Sequence, residues 1–105
     1  MSRILMVEDD LEISQLLEQY FPRYGLELFS VSLPSVALEK LSIEQYDLVL
    51  LDLGLPEMDG LELCKLIKKT YPSLPVVIST SWHVYRLSLN AMHTFRQLWV
   101  KNFLL

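Results

Sequence analysis

Four short apolar runs punctuate the first eighty residues, and stretches with a different period separate them. "RILMV" (3–7), "DLVLL" (47–51) and "PVVIS" (75–79) are continuous and rich in Val, Ile and Leu. That is the signature of strands covered on both faces. "LELFSV" (26–31) mixes polar and apolar positions, which predicts an edge strand. Between the first two runs, Ile13, Leu16, Leu17, Tyr20 and Phe21 recur at helical spacing, and Pro22 with Gly25 is expected to stop that helix. Asp9 and Glu12 stand at capping-box spacing before it. A second helix is predicted from Pro34, a favoured first-turn residue, with Ala37, Leu38 and Leu41 turned inward. A third follows Asp59, with Glu62 three residues on, and runs through Leu63, Leu66 and Ile67 until Pro72. Strand and helix alternating in this rhythm imply parallel strands joined by right-handed crossovers. The fold expected is a single α/β domain, doubly wound, spanning residues 1–105.

The punctuation ends at Pro75, after which there is neither Gly nor Pro. Leu87, Ala91, Phe95 and Leu98 fit one helical stripe, while "QLWV" also reads as a short strand; both readings stay open. Trp82, Trp99 and Phe103 read as core or interface residues, and His83 and His93 are not spaced as a metal pair.

Composition narrows the function classes. The chain has 105 residues, half of them apolar, so a folded core is expected. The longest apolar stretch, "LVLLDLGL", is broken by Asp52 and falls short of a membrane span. "ILMV" runs directly into "EDD" without the long apolar region of a signal peptide. One cysteine, Cys64, suits a reducing cytoplasm and reads as a small helix residue. A net charge of −4 argues against binding nucleic acid through phosphate attraction. All thirteen acids lie at or before Glu62, leaving a basic, acid-free remainder that either docks an acidic partner or is solvated. For Lys68 and Lys69 the expectation is a solvated face.

The chemistry-bearing residues fall at strand ends. Ligands of a parallel sheet bind beyond the carboxyl ends of the strands, near the switch point in strand order. The first strand delivers Glu8, Asp9 and Asp10 to that edge, and the third delivers Asp52. Taken alone, Asp10 is expected only to cap the first helix. Several carboxylates in one concavity repel, and a hard divalent cation with oxygen ligands, above all Mg²⁺, relieves the repulsion.

"ILMVEDD", "DLVLLDLGLPEMDG" and "PVVIST" together resemble the receiver domain of two-component response regulators, across residues 3 to about 81. The "VEDD" form is most similar to receivers of OmpR-type transcription factors. The resemblance implies a flavodoxin-like doubly wound sheet of strand order 2-1-3-4-5. It implies Asp52 as phospho-acceptor from a histidine kinase. It further implies Mg²⁺ held by Glu8, Asp9, Asp52 and the backbone carbonyl of Gly54. Thr80 falls at the family's switch hydroxyl, and Ser81 at the small residue that leaves room for a phosphoryl group. Lys101 aligns with the phosphate-pairing lysine once one residue is deleted within 92–98.

The tail, 82–105, departs from that pattern. "AMHTFRQLWVKNFLL" has no Gly and no acid, carries Asn102 where the family places Pro, and lacks the last helix. A trans bond before Asn102 is therefore expected. Lys101 either pairs with phosphate or belongs to a rebuilt tail that contacts another chain. The uncovered flank and the "FLL" end predict a homodimer formed through the C-terminal segment. Two other classes compete with a phospho-accepting switch. One is a degenerate receiver acting as a non-phosphorylated interaction or dimerisation module. The other, a small phosphatase with an Asp nucleophile, is disfavoured because no acid stands two residues after Asp52. These 105 residues hold no DNA-binding output domain, so gene regulation would run through a partner or a longer parent chain.

Overall fold

The computed structural model describes residues 2–79 of the chain. The elements run β1 (Ser2–Val7), α1 (Leu11–Tyr20), a 3₁₀ turn (Phe21–Tyr24), β2 (Leu26–Val31), α2 (Pro34–Ile43), β3 (Leu48–Asp52), α3 (Gly60–Thr70) and β4 (Val76–Ser79). All described strands are parallel, in the order β2-β1-β3-β4, which agrees with the expected doubly wound sheet. The mixed strand, β2, lies at an edge as its pattern predicted. The expected fifth strand, the expected loss of the last helix, and the expected homodimer contact through the C-terminal segment all concern residues outside the described ones.

Continuous apolar runs arise because alternate side chains of one strand enter two different cores. Ile4 and Met6 of β1 and Leu48 and Leu50 of β3 meet Ile13 and Leu17 of α1, with Phe21 beyond it. Their neighbours Leu5, Val7, Val49 and Leu51 face the other way, against Ala37 and Leu41 of α2 and Leu63 and Ile67 of α3. Every one of these inner-strand residues is essentially sealed from solvent.

Local expectations hold in part. The capping-box role read for Asp9 falls to Asp10, which caps α1 as expected of it: its carboxylate accepts from the backbone N–H groups of Glu12 and Ile13 at 3.0 and 3.3 Å. α1 stops at Tyr20 as expected, and coiling continues from there as a 3₁₀ turn that includes Pro22. Pro22 sits within the first turn of the 3₁₀ segment, where its missing N–H needs no partner, and Gly25 ends that segment at φ 76°, a left-handed conformation glycine adopts freely. Leu66 does not face the core; α3 buries Leu63 and Ile67, a stripe that leaves Leu66 42% exposed. α3 is nevertheless capped as predicted, with Asp59 accepting from the Glu62 N–H at 2.8 Å. Lys68 is exposed, yet its Nζ donates to the carbonyls of Pro72 and Leu74 at 3.0 and 2.8 Å, so it fastens the turn into β4.

The amino end of the sheet carries a cluster that the sequence pattern did not announce. The Arg3 guanidinium stacks on Phe29 and Tyr46, 4.7 and 5.3 Å from their ring centres, and pairs with Glu44 at 3.3 Å. Tyr46 donates its hydroxyl to Glu44 at 2.7 Å. Burial, then the bond to Glu44, pushes the Tyr46 phenol up to about 12 from an ordinary 10.0. The folded state therefore keeps this proton where the unfolded chain loses it. The resulting stability is complete below pH 10 and is lost as pH rises toward 12. Tyr46→Phe is expected to flatten the fall in urea midpoint across that window; an unchanged slope would exclude Tyr46 as its cause.

Candidate functional site

At the carboxyl end of the sheet, β1 and β3 run side by side with Val7 in register with Leu51. The residues that follow, Glu8 and Asp52, therefore emerge together. Glu8 extends the β1–β2 ladder, its N–H donating to the Val31 carbonyl at 3.0 Å. Its side chain is 2% exposed, and Oε1 accepts from the Asp10 N–H at 2.9 Å. That bond folds the carboxylate back over its own turn. Asp10 is committed to the cap of α1, so Asp9 is left exposed to solvent. Asp52, the last residue of β3, is half-buried and in register with Ser79 of β4.

The three acids converge. One carboxylate oxygen from each of Glu8, Asp9 and Asp52 lies within 4.8 Å of the other two. The set grades from buried Glu8 through half-buried Asp52 to exposed Asp9. An all-oxygen donor set suits a hard cation. Around Mg²⁺, with bonds of 2.0–2.1 Å, neighbouring oxygens lie about 2.9 Å apart and opposite ones about 4.2 Å, so these carboxylates would draw in to share one ion. Glu8, Asp9 and Asp52 thus fit the metal that the sequence implied.

The loop after Asp52 is built to hold that residue still. The Leu53 carbonyl accepts from the N–H groups of Leu55 and Gly60, at 3.1 and 2.9 Å, closing the loop at its base. Met58 N–H bonds back to Pro56 at 2.7 Å. Gly60, the first residue of α3, is buried against the end of β3: a Cβ there would run into the Asp52 carbonyl oxygen and lie 2.9 Å from Leu53 Cα. Only hydrogen fits. Gly54, expected to lend its carbonyl, stands exposed in this loop two residues past Asp52.

Glu57, at the tip of the same loop, adopts φ 68°. Its carboxylate reaches α2, accepting from the Ser35 N–H at 2.9 Å and from its hydroxyl at 3.0 Å. Glu57 lies inside the "DLGLPEMDG" stretch, yet nothing in that stretch pointed to its contact with Ser35, 22 residues away in the chain. The expected sites Thr80, Ser81 and Lys101 lie outside the described residues.

Comparison with known proteins decides what this edge belongs to. The family model described as the response regulator receiver domain matches residues 4–95. The chain belongs to the receiver domains of two-component response regulators. This receiver domain is 38% identical over 88 residues to the DNA-binding transcriptional regulator NtrC of Proteus hauseri, covering 84% of the chain and 19% of that protein. It is also 38% identical over 80 residues to the transcriptional regulatory protein CrdR of Helicobacter pylori, covering 75% of the chain and 38% of CrdR. The chain therefore spans well under half the length of either relative. Among solved structures, it matches a chain in the complex of histidine kinase ThkA with response regulator protein TrrA. The TM-score there is 0.74 and the identity 32%, over 88% of this chain and 79% of the other. The doubly wound sheet of order 2-1-3-4 is thus a receiver sheet. Among the described residues, no helix is long and apolar enough to cross a membrane.

Proposed function

We propose that this receiver domain takes a phosphoryl group onto Asp52 and uses the resulting charge as a conformational switch. The observation that carries the reading is the convergence of Glu8, Asp9 and Asp52 within 4.8 Å at the end of two adjacent parallel strands. A half-buried carboxylate such as that of Asp52 is a competent nucleophile toward phosphorus. An oxygen of Asp52 forms the new bond to phosphorus, giving an acyl phosphate, while the bond to the donor's leaving group breaks. A phosphohistidine of a histidine kinase is such a donor, its leaving group an imidazole nitrogen. The kinase–regulator complex among the structural neighbours supports the same partner.

Phosphoryl transfer asks a protein for positioning and charge neutralisation more than for covalent chemistry. Mg²⁺, when bound, neutralises the approaching phosphoryl oxygens. Glu8 and Asp9 would hold it together with Asp52 and the Gly54 carbonyl. Glu8, fixed by the Asp10 N–H, supplies a preset ligand, and the exposed Asp9 adjusts to the incoming group. The family resemblance extends the proposal to Thr80 as the hydroxyl drawn to the phosphoryl group, Ser81 as the small neighbour and Lys101 as its cation. New charge and three new acceptor oxygens on Asp52 would bias the adjacent loop between two states. On this reading the domain is an acceptor that assists its own phosphorylation, and not a classical enzyme. The named roles of NtrC and CrdR as transcriptional regulators support an output in gene control, delivered by a longer parent chain or a partner.

The test is transfer from a small phosphodonor. Acyl phosphate should form only with Mg²⁺ present, and Asp9→Asn should slow it by about tenfold or more through loss of one ligand charge. Equal rates with and without Mg²⁺ would contradict the assignment of the acids to a metal.

A further inference from the structure

Among the described residues, α1 and α3 cap themselves, and α2 borrows its cap. Asp10 and Asp59 cap α1 and α3 from within their own turns. α2 begins Leu33-Pro34-Ser35, where Leu33 offers no side-chain acceptor and Pro34 has no N–H to satisfy. Its first available donor, the Ser35 N–H, is satisfied by Glu57 from the loop that follows Asp52, and the Ser35 hydroxyl joins the same carboxylate. The pairing is charge-assisted and uses both oxygens, which makes it stronger and more directional than a single neutral bond. A carboxylate is also favoured at the positive end of a helix.

The loop contributes strain to reach that position. Glu57 holds φ 68°, a region that disfavours any residue with a Cβ. A glycine would adopt it freely but would have no carboxylate to reach α2. The loop is thus anchored twice: at its base by Leu53 and Gly60, and at its tip by Glu57 and Ser35. Between the two anchors lies Gly54. α2 gives the tip firm ground, because Pro34, Ala37 and Leu41 are buried in the core.

We propose that Glu57 is a positioning residue, whose clasp on Ser35 at the start of α2 sets the Gly54 segment for the cation held beside Asp52. This rests on the metal-dependent reading of Glu8, Asp9 and Asp52 given above. Neither Glu57 nor Ser35 touches the reacting atoms. The clasp acts by holding the loop, so its loss changes the site without removing a ligand.

Mg²⁺ affinity, measured by calorimetric titration of the intact chain, separates this role from a purely structural one. Glu57→Ala should weaken binding about tenfold, as loss of a partner that orients a metal ligand does. Ser35→Ala, which removes one of the two bonds, should weaken it roughly threefold. The double variant should bind like Glu57→Ala alone, because both substitutions break one clasp. Glu57→Gly is the decisive variant: backbone relief offsets part of the lost bonding, so its urea midpoint should lie above that of Glu57→Ala, while its Mg²⁺ affinity falls as far. Parent-like affinity in Glu57→Ala or in Glu57→Gly overturns the inference, as do losses that simply add in the double variant. A parent chain that binds no Mg²⁺ overturns the functional reading itself, and the inference with it.

Discussion

Replacing Gly60 with alanine is expected to damage this domain more than any other single methyl group added near the site. The Cβ would meet the main chain of Asp52 and Leu53, which has no rotamer to escape through. Either α3 withdraws from the end of β3 or the Asp52 peptide tilts. Overpacking of this kind costs typically 1–3 kcal/mol, so a drop of about that size in unfolding free energy is predicted from urea midpoints. The same displacement moves the nucleophile. Phosphoryl acceptance should therefore fall by more than the small folded fraction lost, even under conditions where Gly60→Ala remains fully native. A variant with parental stability and parental acceptance would mean that α3 slides without disturbing Asp52, and the loop would not be the rigid mount described above.

Removing the charge of Asp52 is expected to act in opposite directions on stability and function. Without a cation, three carboxylates with oxygens within 4.8 Å of one another repel. One such pair costs on the order of 1 kcal/mol even at the dielectric of bulk water. Asp52→Asn should therefore be more stable than the parent in metal-free buffer, by about 1 kcal/mol or somewhat more with two neighbours relieved. The parent should gain stability as Mg²⁺ is added, because binding to the folded state alone pulls the equilibrium toward it. Asp52→Asn should gain much less. High salt should narrow the metal-free difference, since Asp9 is exposed and screened. A less stable Asp52→Asn would show that the carboxylate is held by favourable contacts rather than strained by its neighbours.

Much of this architecture is legible in the chain because local and long-range demands agree. β1 and β3 are apolar at every inner position since each side chain enters one of two cores, so their runs could be read without knowing their partners. Asp52 could be placed because a charged residue directly after such a run must lie at a sheet edge. What the sequence hid has equally physical causes. Asp9, Asp10 and Glu12 offer two overlapping cap spacings, and only the backbone at Asp10 decides between them. Leu66 shares a helical period with Leu63 and Ile67, but the sheet covers a narrower stripe than the apolar residues occupy. Pro22 marks the end of α1 as expected, but no pattern announced the 3₁₀ turn it joins. Glu57 sits inside the quoted motif, but its contact carries no signature there: it depends on a left-handed backbone and a partner on α2.

The central claim is that Asp52 is the group that receives phosphorus, and intact-mass measurement tests it most directly. The parent chain and Asp52→Asn are each incubated with a small phosphodonor and Mg²⁺, then weighed. The account predicts a single phosphoryl increment on the parent, removed by hydroxylamine as an acyl phosphate should be, and none on Asp52→Asn. An increment of equal extent on Asp52→Asn, or no increment on a parent chain that is folded and binds Mg²⁺, would contradict it.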